Sequence, residues 1–261
     1  QKRINQMKIM NNEMILVTGG CGFIGSNLIP QLEKKGYKIR VLDNFSKGSL
    51  DFLQSNTVEV IKGDIRNIND VKEALEGVNG VIHLAAYGSV VESVEDPLEN
   101  FEINVRGTLN ILNECRKIGI SKIIFASTGG ALIGDAIPPV DEESIPKPIS
   151  PYGSGKLCCE AYCSSFSKSY GMDIIALRFA NVIGPISWHK RGAVTVFMKA
   201  VMNHKDIVIY GDGKATRDFL YVQDLCEGIV LAYTSKITGF NPIHLSSESE
   251  VSIRELAEVI I

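Results

Sequence analysis

Short apolar runs alternate with helix-like patterns along the first two thirds of the chain. Each run has the length of a strand, and the apolar residues between the runs recur at helical spacing. The predicted strands cover 14–19, 38–43, 58–64, 80–86, 121–127 and 173–179. Helices are predicted over 23–36, from about 97 to about 118, and from Pro151 onward. Pro30 lies inside the first helix, where its missing N–H predicts a kink or an early break.

The alternation of strands and helices predicts a doubly wound α/β fold, in which helices cover both faces of a parallel sheet. We assign 14–180 to this domain and expect 216–240 to return to it. A smaller, interleaved lobe is predicted from 181–215 and 241–261, and 1–13 are predicted to form a polar tail.

The pattern of the smaller lobe begins after Asn181 with a loop and a helix that ends near Asn203. A short strand is predicted in "IVIYGDG", and a strand followed by a helix in "RDFLYVQDLCEGIVLAY". The last predicted elements are a strand near Ile243 and a helix from Ser252.

Composition narrows the function classes. The net charge is −3 with acids and bases interspersed, and no basic block is present that would bind nucleic acid or anionic lipid. The apolar runs are far shorter than the ~20 residues that span a membrane. The six cysteines form no C-x-x-C pair, and no metal site is predicted. Reduced thiols, and the absence of a signal-peptide pattern in 1–13, predict a cytoplasmic protein.

The first strand runs directly into "GGCGFIG", which matches G-x-G-x-x-G from Gly20. A strand precedes the motif, a helix follows it, and Asp43 ends the next strand about twenty residues later, as in dinucleotide-binding units. Glycines let the backbone approach a pyrophosphate, and the helix N-terminus offers N–H groups. Asp43 would accept hydrogen bonds from a ribose diol and repel a 2′-phosphate, which predicts NAD rather than NADP. The alternative is a turn that needs glycine for packing alone.

The ends of later strands add candidates for the same site. Asp64 either caps the following helix or bonds the adenine, and the sequence leaves both open. Ala85 and Ala86, in "HLAA", are small enough for a cofactor to approach closely. His83 is predicted to be a packed strand residue and not a catalytic one.

The stretch "SPYGSGK" places Tyr152 and Lys156 at i and i+4 on one face of a predicted helix. Ser150 is a good N-cap and Pro151 a good first helical residue. A free tyrosine has a pKa near ~10, but a lysine ammonium and a helix N-terminus both favour phenolate. Such a tyrosine can take a proton from an alcohol as hydride leaves for a nicotinamide, while the lysine bonds the nicotinamide ribose. The alternative is a surface helix pair with no chemistry.

Further motifs extend along nearly the whole chain. They are "TGGCGFIGSNL", "LDNFSKGS", "GDIRN", "HLAA", "NVRGTLNIL", "FASTGGA", "SPYGSGK", "LRFANVIGP" and "RDFLYVQD". With them the chain resembles, from Met14 to Ile261, the extended short-chain dehydrogenase/reductase family of nucleotide-sugar epimerases and dehydratases. The resemblance implies a Rossmann-like NAD-binding domain, a substrate-binding lobe and a UDP-sugar substrate. It also implies a homodimer formed by helices near 98–117 and 152–170.

The resemblance also implies roles for individual residues. Thr128 joins the tyrosine and lysine as the third catalytic residue and contacts the substrate oxygen, with Ser127 as a less favoured substitute. Asn181 and Arg217 bind the sugar nucleotide, and the guanidinium of Arg217 suits its pyrophosphate. With the motif reasoning, the predicted cofactor-binding set is Gly19, Gly22, Phe23, Ile24, Gly25, Asp43, Asn44, Asp64, Ile65, Leu84, Ala85, Ala86, Asn104, Tyr152, Lys156 and Phe179.

The chain departs from the family in places. Gly155 stands where relatives carry serine before the lysine, and Ile133 stands where many carry tyrosine. Relatives run some tens of residues longer, so we expect the substrate lobe to be incomplete. A P-loop is excluded because Leu157 follows "GSGK" where Ser or Thr is required.

The residues after Thr128 bear on the reaction. Related dehydratases carry Asp-Glu there to eliminate water, whereas this chain has Gly129 and Gly130. "STGGA" is similar to the UDP-glucose 4-epimerase-like members, so we predict epimerisation at C4 of a UDP-hexose through a transient 4-keto sugar. The alternatives are a dehydratase or a reductase of the same fold, and a non-catalytic protein that binds NAD or a sugar nucleotide.

Overall fold

The computed structural model describes residues 12–188 and 190–261, so most of the predicted polar tail lies outside the described residues. Numbered along the chain, the strands are β1 Met14–Thr18, β2 Lys38–Asp43, β3 Glu59–Lys62, β4 Gly80–His83, β5 Lys122–Thr128, β6 Asp173–Phe179, β7 Asn181–Ile183, β8 Thr216–Arg217, β9 Phe219–Tyr221, β10 Phe240–Leu245 and β11 Val251–Ser252. The helices are α1 Phe23–Lys34, α2 Ile68–Leu75, α3 Val90–Glu95, α4 Pro97–Phe101, α5 Gly107–Ile118, α6 Gly130–Ile133, α7 Pro151–Tyr170, α8 Ala193–Met202, α9 Val222–Thr234 and α10 Ile253–Ile260.

Seven strands form one parallel sheet in the order β10-β6-β5-β4-β1-β2-β3. Ile15 of β1 lies between Ile39 of β2 and Gly80 of β4. The strand order reverses between β1 and β4, and in open α/β sheets a crevice for ligands forms at the carboxyl ends of such a pair. The prediction of a doubly wound α/β fold is confirmed.

Helices cover both faces of the sheet because its central strands are apolar on both faces. On one face, α1 and α9 bury residues such as Leu28 and Ile229. On the other face, α2 and α5 bury Val71 and Ile111, together with part of α7. The sheet is therefore clamped between two apolar layers, which leaves its edges and strand ends for polar chemistry.

The break predicted at Pro30 does not occur, because α1 continues through it to Lys34. Packing against α9 holds the helix in place. The side-chain amide of Gln31 donates to the side-chain oxygen of Gln223 on α9 at 3.0 Å. A helix fixed in this way tolerates the loss of one backbone hydrogen bond.

The helix predicted over 97–118 is confirmed, and it contains one π-helical turn at Glu102–Arg106 between α4 and α5. One further prediction about secondary structure is wrong. No strand forms in "IVIYGDG", because 207–213 are loop and turn. Val208 and Tyr210 are exposed there, so the alternating apolar pattern has no partner strand to pair with.

The strand predicted near Ile243 exists as β10, but it joins the main sheet beside β6. The sequence pattern assigns residues 241–245 to the smaller lobe, and this part of the assignment is wrong. A separate small apolar cluster links α8 and α10 through Phe197, Leu256 and Ala257. The rest of the domain division stays a prediction. Within the described ranges, no helix combines the length and apolarity needed to cross a bilayer.

Candidate active site

The loop between β1 and α1 presses against the end of β4. Gly19 has φ +69°, and a Cβ there would lie 2.8 Å from the backbone N and Cα of Ala85. A Cβ on Gly25 would lie 2.5 Å from Cα of Gly20. Only glycine fits both positions, so these glycines close a tight cradle at the point where the strand order reverses.

The N-terminus of α1 opens into this cradle. Gly22 is the N-cap, no side chain caps the helix, and no acidic residue lies in its first turn. The first N–H groups of a helix have no intrahelical partners and attract anions. The ammonium of Lys190 lies 4.6 Å from the ring centroid of Phe23, the first residue of α1. This geometry fits a pyrophosphate, the central group of a dinucleotide.

Asp43 ends β2 beside the cradle and is only 8% exposed. Its carboxylate accepts the backbone N–H of Cys21 at 3.0 Å and of Phe45 at 2.8 Å. Burial raises the pKa of the Asp43 carboxyl, and the two N–H donors oppose that rise. A carboxylate has further lone pairs, which two hydroxyl groups of a ribose can fill.

Asp64 forms an ion pair with Arg66 at 2.8 Å and also accepts from the side chain of Asn44 at 3.0 Å. The hydrogen bond from Arg66 is the main cause that lowers the pKa of Asp64 to about 2. Asn67 is the N-cap of α2, so the helix-cap interpretation of Asp64 is wrong. The side chain of Ile65 packs in the core, so any contact of Ile65 with a cofactor would come from its backbone.

His83 is buried between two threonines, as predicted for a packed strand residue. Its Nδ1 lies 2.6 Å from Oγ1 of Thr18, and its Nε2 lies 3.0 Å from Oγ1 of Thr108. Burial, and then the charge of Lys156, lowers the pKa of His83 to about 3. Thr18 also accepts the N–H of Ala85 at 3.2 Å, so these bonds fix the segment Leu84, Ala85 and Ala86 beside the cradle.

Asn104 is only 1% exposed and lies in the π-helical turn. Its side-chain oxygen accepts the N–H of Tyr87 at 2.7 Å, and its amide donates to the carbonyl of Tyr87 at 3.2 Å. The structure therefore places Asn104 as a clamp on the chain that leaves β4. Its predicted contact with a cofactor stays a prediction.

Thr128, Tyr152 and Lys156 meet at the carboxyl end of β5. Thr128 is the last residue of that strand, and the other two lie in the first two turns of α7. Ser150 caps α7 by accepting the N–H of Gly153 at 3.2 Å, as the sequence predicted. Tyr152 and Lys156 therefore lie over the strand that carries the threonine.

Lys156 is 3% exposed, and its ammonium donates to the carbonyl of Ala126 at 2.7 Å. It lies 4.7 Å from the ring centroid of Phe125 and 6.0 Å from that of Tyr152. Burial lowers the pKa of Lys156. The lysine is thus anchored to β5 beneath the tyrosine. A Cβ on Gly155 would meet atoms only at 3.6 Å, so serine would also fit at that position.

The pKa of Tyr152 is raised to about 12, mainly by burial, while a hydrogen bond with Thr128 acts to lower it. The expectation that the lysine and the helix N-terminus would lower this pKa is therefore wrong for the protein alone, where burial is the largest cause of the shift. Deprotonation near neutral pH requires additional positive charge in the site.

The predicted substrate residues lie on short strands outside the main sheet. Asn181 begins β7 and donates from its side chain to the carbonyl of Asp218 at 3.2 Å. Arg217 is exposed on the two-stranded sheet formed by β8 and β11. Phe179 ends β6, and its carbonyl accepts the N–H of Gly129 at 3.0 Å. The structure brings Phe179 next to the Thr128 segment, whereas Asn181 and Arg217 lie in two separate small sheets, β7 with β9 and β8 with β11.

Sequence reasoning missed two polar residues behind the catalytic candidates, Glu160 and Arg178, and misjudged a third, Ser127. Ser127, Glu160 and Arg178 are all nearly buried and are joined by hydrogen bonds. A signal was present, because Arg178 interrupts the apolar strand "DIIALRF", and Glu160 lies four residues after Lys156 on the same helix. The side chain of Ser127 donates to Glu160, so Ser127 is not a substitute for Thr128.

The fold and the site define a Rossmann-like nucleotide-binding protein. The defining features are the parallel strands, the glycine cradle where the strand order reverses, and the buried carboxylate at the end of β2. The model of the NAD dependent epimerase/dehydratase family matches residues 15–245. The chain belongs to that family.

Individual relatives agree with this assignment. The chain is 38% identical over 251 residues to a putative UDP-glucose 4-epimerase of Methanocaldococcus jannaschii. The alignment covers 95% of this chain and 81% of the relative. It is similar to UDP-glucose 4-epimerase from Thermotoga maritima, solved with UDP-glucose, with a TM-score of 0.90, 34% identity and coverage of 95% and 81%. The Thermus thermophilus UDP-glucose 4-epimerase complex with NAD has a TM-score of 0.88, 34% identity and coverage of 95% and 82%.

Proposed function

We propose that this protein is an NAD-dependent 4-epimerase of a UDP-hexose. The observation that carries the proposal is the meeting of Thr128, Tyr152 and Lys156 at the end of β5, beside the glycine cradle. The absence of an acid or base immediately after Thr128 favours epimerisation over elimination of water. A Cβ on Gly130 would meet no atom within 4 Å, so this glycine leaves open space there.

The residues present fit NAD. The cradle and the N-terminus of α1 would hold the pyrophosphate, Asp43 would bond the adenine ribose, and Lys156 would bond the nicotinamide ribose. NAD, when bound, supplies the hydride acceptor and donor for C4, and its oxidised ring adds positive charge that favours phenolate. That added charge offsets the burial that raises the pKa of Tyr152.

Tyr152 would take the proton of the C4 hydroxyl, with Thr128 bonded to the same oxygen. The 4-keto sugar then turns its other face toward the cofactor, and the tyrosine returns the proton to the oxygen. Arg217 and Asn181 would hold the nucleotide part of the substrate while the sugar turns. The side chains thus return to their starting protonation states after each turnover.

A substrate deuterated at C4 tests the proposal. A UDP-hexose carrying deuterium at C4 should be converted to its C4 epimer with the label retained, because the same hydride returns. Products and label are followed by NMR. If the product has lost water, or if the label leaves the sugar with a stoichiometric change in the cofactor, the dehydratase or reductase alternative replaces the epimerase. If the NAD-loaded protein converts none of the substrate, the non-catalytic alternative is supported.

Cofactor choice gives an independent prediction. Asp43→Ala should weaken NAD binding at least roughly tenfold, since hydrogen bonds to a charged group contribute about 1.5–3 kcal/mol. It should also reduce the preference for NAD over NADP, because the charge that repels a 2′-phosphate is removed. Calorimetric titration of both dinucleotides measures this. Asp173→Ala, at the opposite end of the sheet, is the control, and tighter binding of NADP than NAD by the parent protein contradicts the assignment.

We also infer that the protein forms a homodimer through the helices at 98–117 and 152–170. Exposed apolar residues on α3 and α4 support this, because Val91, Val94 and Leu98 are 63%, 63% and 77% exposed. Contiguous exposed apolar residues mark association surfaces.

The cysteines are free thiols, which fits the reducing cytoplasm.

The dimer prediction concerns the mass in solution. Light scattering should give twice the chain mass, and Val94→Glu with Leu98→Glu should give a monomer, because charges would be buried at the interface. Val259→Glu, at an equally exposed apolar position on α10, is the control and should stay dimeric. A monomeric parent at micromolar concentration would rule out this interface.

A further inference from the structure

A buried ion pair joins the catalytic helix to the strand beside β5. Glu160 on α7 and Arg178 on β6 have side chains that are each 5% exposed. Arg178 donates from Nε to Oε1 of Glu160 at 3.1 Å and from Nη2 to Oε2 at 2.8 Å. This two-point contact fixes both position and orientation, because the guanidinium and the carboxylate are planar and matched.

The same carboxylate also contacts β5. Ser127 donates from Oγ to Oε1 of Glu160 at 2.5 Å. Ser127 directly precedes Thr128, and Glu160 lies one helical turn beyond Lys156. One buried carboxylate therefore connects the strand that carries the threonine with the helix that carries the tyrosine and lysine.

A third contact reaches the loop before α7. Arg178 donates from Nη1 to the carbonyl of Glu142 at 3.3 Å, and the carboxylate of Glu142 accepts the N–H of His244 on β10 at 2.7 Å. The loop between α6 and α7 is thus tied to β6 and β10. The ion pair therefore contacts β5 and the loop before α7 directly, and it reaches β10 through Glu142.

A buried ion pair is weak evidence for stability, because desolvation opposes the attraction between the charges. What this pair provides is geometry. Besides the hydrogen bond from Lys156 to the carbonyl of Ala126, the rest of the contact between α7 and the sheet is largely apolar, through residues such as Cys159 and Cys163. Apolar contacts have no directional preference. The hydrogen bonds of Glu160 do have direction, and they act one residue away from Thr128.

We propose that Glu160, held by Arg178 and bonded to Ser127, is a positioning residue that sets the separation of the Thr128 hydroxyl and the Tyr152 phenol. It does not touch the reacting atoms. The assignment of a catalytic effect rests on the proposed epimerase function, whereas the geometric effect does not. The contact that depends on it is the one through which the side chain of Thr128 acts to lower the pKa of Tyr152.

Ser127→Ala is the variant that tests this proposal. Removing Glu160 itself would leave a buried guanidinium unpaired and endanger folding. Ser127→Ala keeps the ion pair and removes only the bond to β5. Since a 1 Å misplacement can cost about 10²-fold, and this shift should be smaller, we expect kcat to fall on the order of tenfold. The KM and the NAD dissociation constant should change less than twofold.

A second measurement does not depend on activity. The ¹³Cζ chemical shift of Tyr152, assigned by its loss in Tyr152→Phe, reports the hydrogen bond to the phenol oxygen. In Ser127→Ala this signal should move. In Ser167→Ala, a buried serine further along α7 that touches neither β5 nor the ion pair in the described structure, both the signal and kcat should stay at the parent values.

The outcomes separate the two proposals. A Tyr152 signal that moves in Ser127→Ala, together with a lower kcat, supports the positioning role. If the parent protein has no epimerase activity but the signal still moves in Ser127→Ala, the positioning role stands and the proposed function fails. An unchanged signal in Ser127→Ala overturns it, whatever happens to kcat. Equal losses in Ser127→Ala and Ser167→Ala also overturn it, because they indicate a general loss of packing.

Discussion

Replacing Tyr152 with phenylalanine should lower kcat by about 10²–10⁴-fold, the usual contribution of a general acid or base. The ring volume is kept, so NAD binding should survive. Because the pKa of Tyr152 is raised to about 12 in the protein alone, the phenolate fraction grows with pH across the neutral range. The parent rate should therefore rise with pH, and the variant should lose that dependence.

The rate is measured as conversion of a UDP-hexose to its epimer at a series of pH values within ~2 units of neutrality. Tyr162→Phe is the matched control, because Tyr162 lies on the same helix and is partly exposed. It should leave both the rate and the pH profile unchanged. Turnover by Tyr152→Phe at the parent rate would remove the tyrosine from the mechanism.

Lys156→Met should have a comparable effect on kcat, on the order of 10²-fold or more, and should also weaken NAD binding. The ammonium lies 6.0 Å from the ring centroid of Tyr152, and it is anchored to the carbonyl of Ala126. Methionine fills similar volume but carries no charge and cannot donate to a ribose hydroxyl. Calorimetry with NAD and single-turnover kinetics separate the two effects.

Lys122→Met is an unusually close control. The ammonium of Lys122 also donates to a backbone carbonyl, that of Ser235, at 2.6 Å. It also lies near an aromatic ring, that of Tyr233, at 5.5 Å. It stands at the amino end of β5, away from the cradle. Loss of activity in Lys122→Met equal to that in Lys156→Met would mean that the common effect is on folding and not on chemistry.

The features visible in the sequence were those fixed by local rules. The glycine motif, the carboxylate at the end of β2 and the N-cap at Ser150 each depend on a short stretch of chain. The main strands of the sheet followed from apolar run length. Pro30 was misjudged because a local penalty was overridden by packing between α1 and α9, which a single helix pattern does not reveal.

The features that escaped prediction depend on residues distant in sequence. Asn104 clamps Tyr87, and Glu160 meets both Ser127 and Arg178, only after the strands have been ordered. The ionisation of Tyr152 was misjudged for the same reason. Its helix position was visible, but its burial depends on segments distant in sequence, such as α3, whose Ser93 hydroxyl accepts the N–H of Tyr152.

The buried carboxylate of Asp43 couples the folding of the chain to the supply of its dinucleotide. Folding raises the pKa of this group, so the charged form that prevails at neutral pH is disfavoured in the folded chain, and the cost is present once the pH exceeds that pKa. Two hydroxyl donors from a bound dinucleotide would relieve that cost. Because a ligand that binds only the folded form stabilises it by mass action, we expect the steady-state amount of intact protein in a cell to follow the supply of the dinucleotide as well as gene expression.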